Sequence, residues 1–296
     1  MKPAQGAACE LEARIGHPGE KWEGLKERVQ ANAVQQFVNI EVDWLDLMWT
    51  LDQYRIAGVP PRAMGKETTA PGRRLEAIYR GKGNWFAELL ALLLQNRTAQ
   101  RIGPRQRVQG FSQLHQIDLA WPPRSENPLV CVETKVTGAP AVGTTPARAS
   151  TADFSNRRKE LKFAATDLKL YLRQQATAIE HWGAWRAQAP PRTYFLWAAR
   201  LRPDVDRLPR LVAEARALVD TYLDGAGLIA WQENESRTAY DVLTLPQSER
   251  VSDLDDVLHR IATEINLRAG ADQTPPPPEL PTERAIAPDE LPLEEV

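Results

Sequence analysis

The chain has 296 residues, 43% of them hydrophobic and 26% charged, with a formal net charge of −2. That is ample core material for one large or two small domains, and it excludes a globally basic nucleic-acid binder. Two distant cysteines, Cys9 and Cys131, exclude a disulfide framework, and the longest apolar stretch, Leu89 to Leu94, is far too short to cross a bilayer.

The opening Met1-Lys2-Pro3-Ala4-Gln5-Gly6 carries no apolar signal core, so a reducing cytoplasm and no membrane contact are expected. Residues 20 to 57 read as helix. Val34, Phe37, Val38, Ile40, Val42, Trp44, Leu45, Leu47, Met48 and Leu51 are denser than one exposed helix needs. A helical N-terminal subdomain or a pair of helices is expected, ended by Gly58-Val59-Pro60-Pro61 and a connector to about residue 70. The second unit, residues 71–269, begins with a helix over Asn84–Gln95, Asn84 as its N-cap and Glu88 its single internal acid.

Strands follow at 106–114, at His115–Trp121 and at Leu129–Val136, the last two joined by a turn holding Pro122, Pro123, Asn127 and Pro128. Gly138 to Ala149 is a small-residue loop suited to border a substrate groove. A helix over Asp153–Gln175 precedes a buried strand at Arg192–Leu201 and an amphipathic helix at Leu208–Leu223, stopped by Gly225 and Gly227. Leu228–Trp231 and Tyr240–Leu245 suit an antiparallel pair, and Val251–Leu267 a last helix. From Gly270 the tail, with Pro275 to Pro278 and seven acids against one Arg, is disordered by composition. It would act as a solubilising segment, a nucleic-acid mimic or a docking peptide.

The chemistry concentrates in the two neighbouring strands. Alternation puts Glu133 and Lys135 on one face, opposite Val132, Thr134 and Val136, and sets Asp118 apart from Ile117 and Leu119. If the strands pair, two carboxylates and an ammonium converge, a set able to hold Mg²⁺ beside a phosphodiester. A Glu-x-Lys on an exposed strand would look the same. The almost continuous apolar run around Glu133 argues against that, because charge in a strand buried on both faces is costly unless paired or metal-bound.

The order helix with Glu88, strand, strand with Asp118, strand with Glu133-x-Lys135, helix resembles the PD-(D/E)xK nuclease superfamily over residues 73 to 200. Ile117 stands where the family's name has Pro. The resemblance implies an α/β, restriction-endonuclease-like fold, a central mixed sheet flanked by helices, with the helical N-terminal subdomain added. It implies a Mg²⁺-dependent endonuclease acting on DNA, in restriction or phage defence, with Mn²⁺ able to substitute. Asp118, Glu133, the Thr134 carbonyl and Glu88 would bind metal. Asp118, Glu133, Lys135 and Glu88 would be catalytic. A Lys held against two carboxylates is expected to keep its proton, so Lys135 would orient the attacking water and offset charge on phosphorus.

The flanks of this motif are basic. Arg73, Arg74, Arg80, Lys82, Arg97, Arg101, Arg105 and Arg107 precede it, and Arg157, Arg158, Lys159, Lys162, Lys169 and Arg173 follow. Phosphate contacts need local positive charge, and Arg158, Lys159 and Lys162, within about one helical turn, are the candidate DNA-binding residues. The bland reading is a solvated helix face. His17, His115, His181 and His259 form no zinc box, although His115 lies near Asp118. No Walker loop or Gly-x-Ser-x-Gly elbow occurs. Two rivals stand beside the nuclease. One is a non-cleaving nucleic-acid-binding or scaffolding subunit of a defence or repair complex. The other is a helical partner-binding subunit. A protein partner or homodimer would supply specificity.

Overall fold

The computed structural model describes residues 3–59, 71–124, 128–152, 154–178, 190–202, 206–219, 221–246 and 251–271. The expected connector after Val59 and the acidic tail beyond residue 271 lie outside these described residues. Helices α1 (Pro3–Ile15), α2 (Pro18–Ala31) and α3 (Glu41–Ile56) open the chain, with a 3-10 turn at Phe37–Ile40 before α3. The single 20–57 stretch is therefore broken, and its excess of apolar residues is explained. Trp22 of α2 stacks on Trp85 at 5.4 Å, and Trp44 of α3 packs on Phe86 at 5.3 Å.

Trp85 and Phe86 belong to α4 (Pro71–Thr98), more than twice the length expected. Asn84 is inside this helix and does not cap it. Gly81 and Gly83 each disfavour the helix by about 1 kcal/mol relative to Ala. Burial of Phe86, Leu89, Leu90, Leu93 and Leu94 offsets that, at about 1.5–3 kcal/mol for each large apolar side chain removed from water.

The sheet begins with β1 (Gly103–Gln109), β2 (Leu114–Trp121) and β3 (Val130–Thr137), each antiparallel to the next. Helix α5 (Phe154–Ala178) then crosses to β4 (Arg192–Arg200), parallel to β3, and α6 (Leu208–Val219) crosses to β5 (Gly225–Glu233), parallel to β4. Strand β6 (Tyr240–Val242) pairs antiparallel with β5, as expected, and β7 (Val251–Asp253) adds in parallel before α7 (Leu254–Ala271). The result is a seven-stranded mixed sheet with helices on both faces.

Alternation along β3 and β4 sorts the two faces. Val130, Val132, Tyr194, Leu196 and Ala198 point into one core with α2, α3, α4 and α7. Phe195, Trp197 and Ala199 point into the other with α5 and α6. The N-terminal helices thus share a continuous core with the sheet. A buried network strengthens the join. The Tyr240 hydroxyl donates to Asp52 of α3 and accepts from Arg200 of β4 at 2.8 Å, and Arg200 also pairs with Glu233. Asp255 of α7 accepts the Phe37 and Val38 amides at 2.8 and 2.9 Å.

Candidate active site

Strands β2 and β3 pair only at Leu119–Val132, Ala120–Cys131 and Trp121–Val130. One step beyond, the register sets Asp118 opposite Glu133, and directly opposed residues of an antiparallel pair share a face. The ladder opens there. Asp118 spans the opening with one carboxylate oxygen, Oδ2, which accepts from the Thr134 amide at 2.8 Å and from Thr134 Oγ1 at 2.9 Å. Arg105, across from Asp118 on the β1 side, has a left-handed φ of 49°, so the backbone is distorted on both sides of this point.

Glu133 lies on the α5 face of the sheet, between Cys131 and Lys135. Its β4 neighbour is Phe195, and that of Lys135 is Trp197. Glu133 is half-buried and, among the described residues, accepts no hydrogen bond and makes no ion pair. Burial, followed by the charge of Asp118, pushes its carboxyl up to about 8. Arg157 and then Lys135 oppose that rise. The Lys135 ammonium is not salt-bridged to either carboxylate among the described residues. Burial, then Arg157, moves its pKa below the usual lysine value against the pull of Asp118. The expected reinforcement of its proton by two carboxylates is therefore outweighed. A single strand cannot reveal that a helix will lay an arginine alongside.

Glu88 is not brought to this cluster. Helix α4 packs on the opposite core, against Leu119 and Val132, and Glu88 acts on Lys26 of α2. The flanking leucines of α4 turn to the sheet, so helix phase carries Glu88 toward the N-terminal helices. The acid that does influence Glu133 and Lys135 from a helix is Glu160 of α5. Among the described residues no three His, Cys, Asp or Glu side chains form a ready metal cage.

Helix α5 has two polar flanks beside its buried stripe of Phe154, Leu161, Ala165 and Leu168. Arg158 pairs with Glu214 of α6 at 3.2 Å, Lys162 sits over the Tyr222 ring at 4.5 Å, and Lys169 pairs with Asp224 at 3.0 Å. That flank faces α6 and β5. Of the three expected DNA-binding residues, Arg158 and Lys162 are thus engaged away from the carboxylates, while Lys159 is exposed. The other flank faces β2: Asp167 pairs with His115 at 2.7 Å, and the Phe163 ring meets His115 at 5.6 Å. His115 therefore anchors α5. Arg157 and Glu160 continue this second flank toward Glu133, and neither was singled out from sequence. Their signal was present only as helical spacing from Asp167.

A groove of about 900 Å³ lies elsewhere, lined by Val38, Glu41, Leu243, Asp253 and Asp255 among others. It includes no residue of the Asp118–Lys135 cluster, and its acidic lining is unsuited to a phosphate. No described helix is long and apolar enough to cross a membrane. No family model, curated protein or solved structure matches this chain.

Proposed function

We propose that this chain is a divalent-metal-dependent nuclease of the PD-(D/E)xK type, with a restriction-endonuclease-like core, hydrolysing phosphodiester bonds of DNA. The observation that carries the reading is Asp118 set opposite Glu133 where the β2–β3 ladder opens, with Lys135 on the Glu133 face. The donor set fits a hard cation: two carboxylates, one partly buried without a counter-ion within ion-pair reach, and main-chain oxygens nearby. Asp118 and Glu133 would hold Mg²⁺ or Mn²⁺, with the Thr134 carbonyl as a further ligand. Glu88 has no part in this set. The ion, when bound, polarises the phosphate and lowers the pKa of water. Asp118 is pre-positioned by its two bonds to Thr134, so little ordering is left for binding. Lys135 orients the attacking water and offsets charge on the phosphoryl oxygens. Restriction or phage defence is the proposed setting, with a protein partner or second copy supplying sequence choice.

The second reading is a non-cleaving nucleic-acid-binding or scaffolding subunit. It is favoured by the lack of a third converging acid among the described residues. Cleavage of supercoiled plasmid, linear duplex, single strand and RNA in Mg²⁺ and Mn²⁺ separates the two. The nuclease reading expects metal-dependent cutting lost in Asp118→Asn, Glu133→Gln and Lys135→Met with the fold intact. Nucleic-acid binding with no cutting by wild type supports the scaffold.

A further inference from the structure

We infer that Arg157 is a phosphate-binding catalytic residue of this site, held by Glu160 until substrate enters. This rests on the nuclease reading. Phe154, the first residue of α5, stacks on Trp197 at 4.6 Å with the rings 8° apart. Trp197 is the register partner of Lys135 and donates from its indole N–H to Thr137 Oγ1 at 2.8 Å. The start of α5 is therefore pinned beside Lys135. Farther along, Asp167 and Phe163 hold the helix to His115 of β2. Two anchors fix the roll of α5, and Arg157, one turn after Phe154, falls on the flank of Glu160 and Asp167 that is turned to β2.

From there the Arg157 charge acts on both Glu133 and Lys135. It pairs with Glu160 on the next turn, and this pair is exposed, with side chains 48% and 59% accessible. Exposed pairs at this spacing are weak and easily exchanged. A phosphate offers the guanidinium fork two oxygens in matching geometry, which a lone lysine does not reproduce. The incoming phosphodiester therefore takes Arg157 from Glu160. Two neighbouring cations of α5, Arg158 and Lys162, are turned to the other flank, to Glu214 and Tyr222.

The test compares wild type with Arg157→Ala, Arg157→Lys, Glu160→Gln, Asp118→Asn and Arg216→Ala, an exposed arginine of α6. Cleavage is followed in Mg²⁺ on the polymer that wild type cuts, binding of the same labelled polymer in Ca²⁺, and folding by thermal melts. Arg157→Ala is expected to lose roughly 100-fold in cleavage rate, the scale of one lost charge-stabilising donor, at an unchanged melting temperature. Arg157→Lys recovers part of the loss, as a structural role would not require. Glu160→Gln cuts about twofold faster at low substrate, the factor set by releasing a weak helical pair. Arg216→Ala behaves as wild type. Arg157→Ala cutting within twofold of wild type while Asp118→Asn is inactive overturns the Arg157 assignment and leaves the nuclease reading intact. A Glu160→Gln loss as deep as that of Arg157→Ala overturns the holding role. Wild type that binds and cuts no polymer removes both.

Discussion

Replacing Glu133 by Gln should stabilise the protein at alkaline pH, whatever it does to activity. Glu133 is a half-buried carboxyl with no hydrogen bond among the described residues, and burial and Asp118 push it up to about 8 from an ordinary value of 4.5. A carboxyl whose folded-state pKa is raised contributes stability that is fully present below the unfolded value. That stability is lost as pH rises through the folded value. The ceiling on the loss is ~5 kcal/mol, at 1.36 kcal/mol per pKa unit. Water reaches this side chain, and Arg157 and Lys135 oppose its burden, so about 1–2 kcal/mol is the expected cost near pH 9. For a domain of this size that corresponds to a gain of ~3–6 °C in melting temperature for Glu133→Gln. The assay is paired thermal melts of both proteins in EDTA from acid to alkaline pH. The gap should be near zero below the ordinary value of 4.5, widen as pH rises from there, and level off above about 8, where the folded carboxyl has also ionised. Adding Mg²⁺ should narrow the gap by raising wild type alone. A gap that does not change with pH, or a Gln variant no more stable than wild type at alkaline pH, would refute the placement of an uncompensated acid here.

Tyr240→Phe should cost ~2–4 kcal/mol in urea unfolding, because it removes one hydroxyl from both buried Asp52 and buried Arg200, and bonds to charged groups contribute about 1.5–3 kcal/mol each; a cost under ~0.5 kcal/mol would show that the network repairs itself with solvent. Gly138→Ala should destabilise by several kcal/mol or prevent folding, since Gly138 has φ +82° and an added Cβ would lie 2.2 Å from the Arg200 carbonyl oxygen. Circular dichroism melts read this directly, and a wild-type melt would show that the β3 exit can shift. Asp167→Asn should lower the melting temperature at neutral pH. The Asp167 carboxyl is buried, but its bonds from His115 and Ser112 hold it below its usual 3.8. Its stabilisation is therefore present above that value and lost as pH falls through the lower folded one, so melts of the two proteins should converge in acid.

The elements around the site were legible in the sequence because strand alternation and turn residues are local. His115–Trp121 and Leu129–Val136 fall almost on β2 and β3, and the period of two alone put Glu133 and Lys135 on one face. The α/β class and the antiparallel Tyr240 strand were readable for the same reason. Tertiary structure decided three things that no local period contains. Helix α4 runs back through Gly81 and Gly83 to Pro71, because long-range burial of Phe86, Leu89 and Leu93 outweighs glycine's propensity. Glu88 lies on the far layer, because the phase of α4 is set by which leucines meet the sheet. Arg157, instead of Arg158 or Lys162, is the α5 cation whose charge reaches Glu133, which the sequence left open because both flanks of α5 are polar. Only the anchors at Trp197 and His115, on other strands, fix how that helix rolls. Spacing along a chain specifies which residues share a flank, while the partner each flank meets is a property of the packed whole.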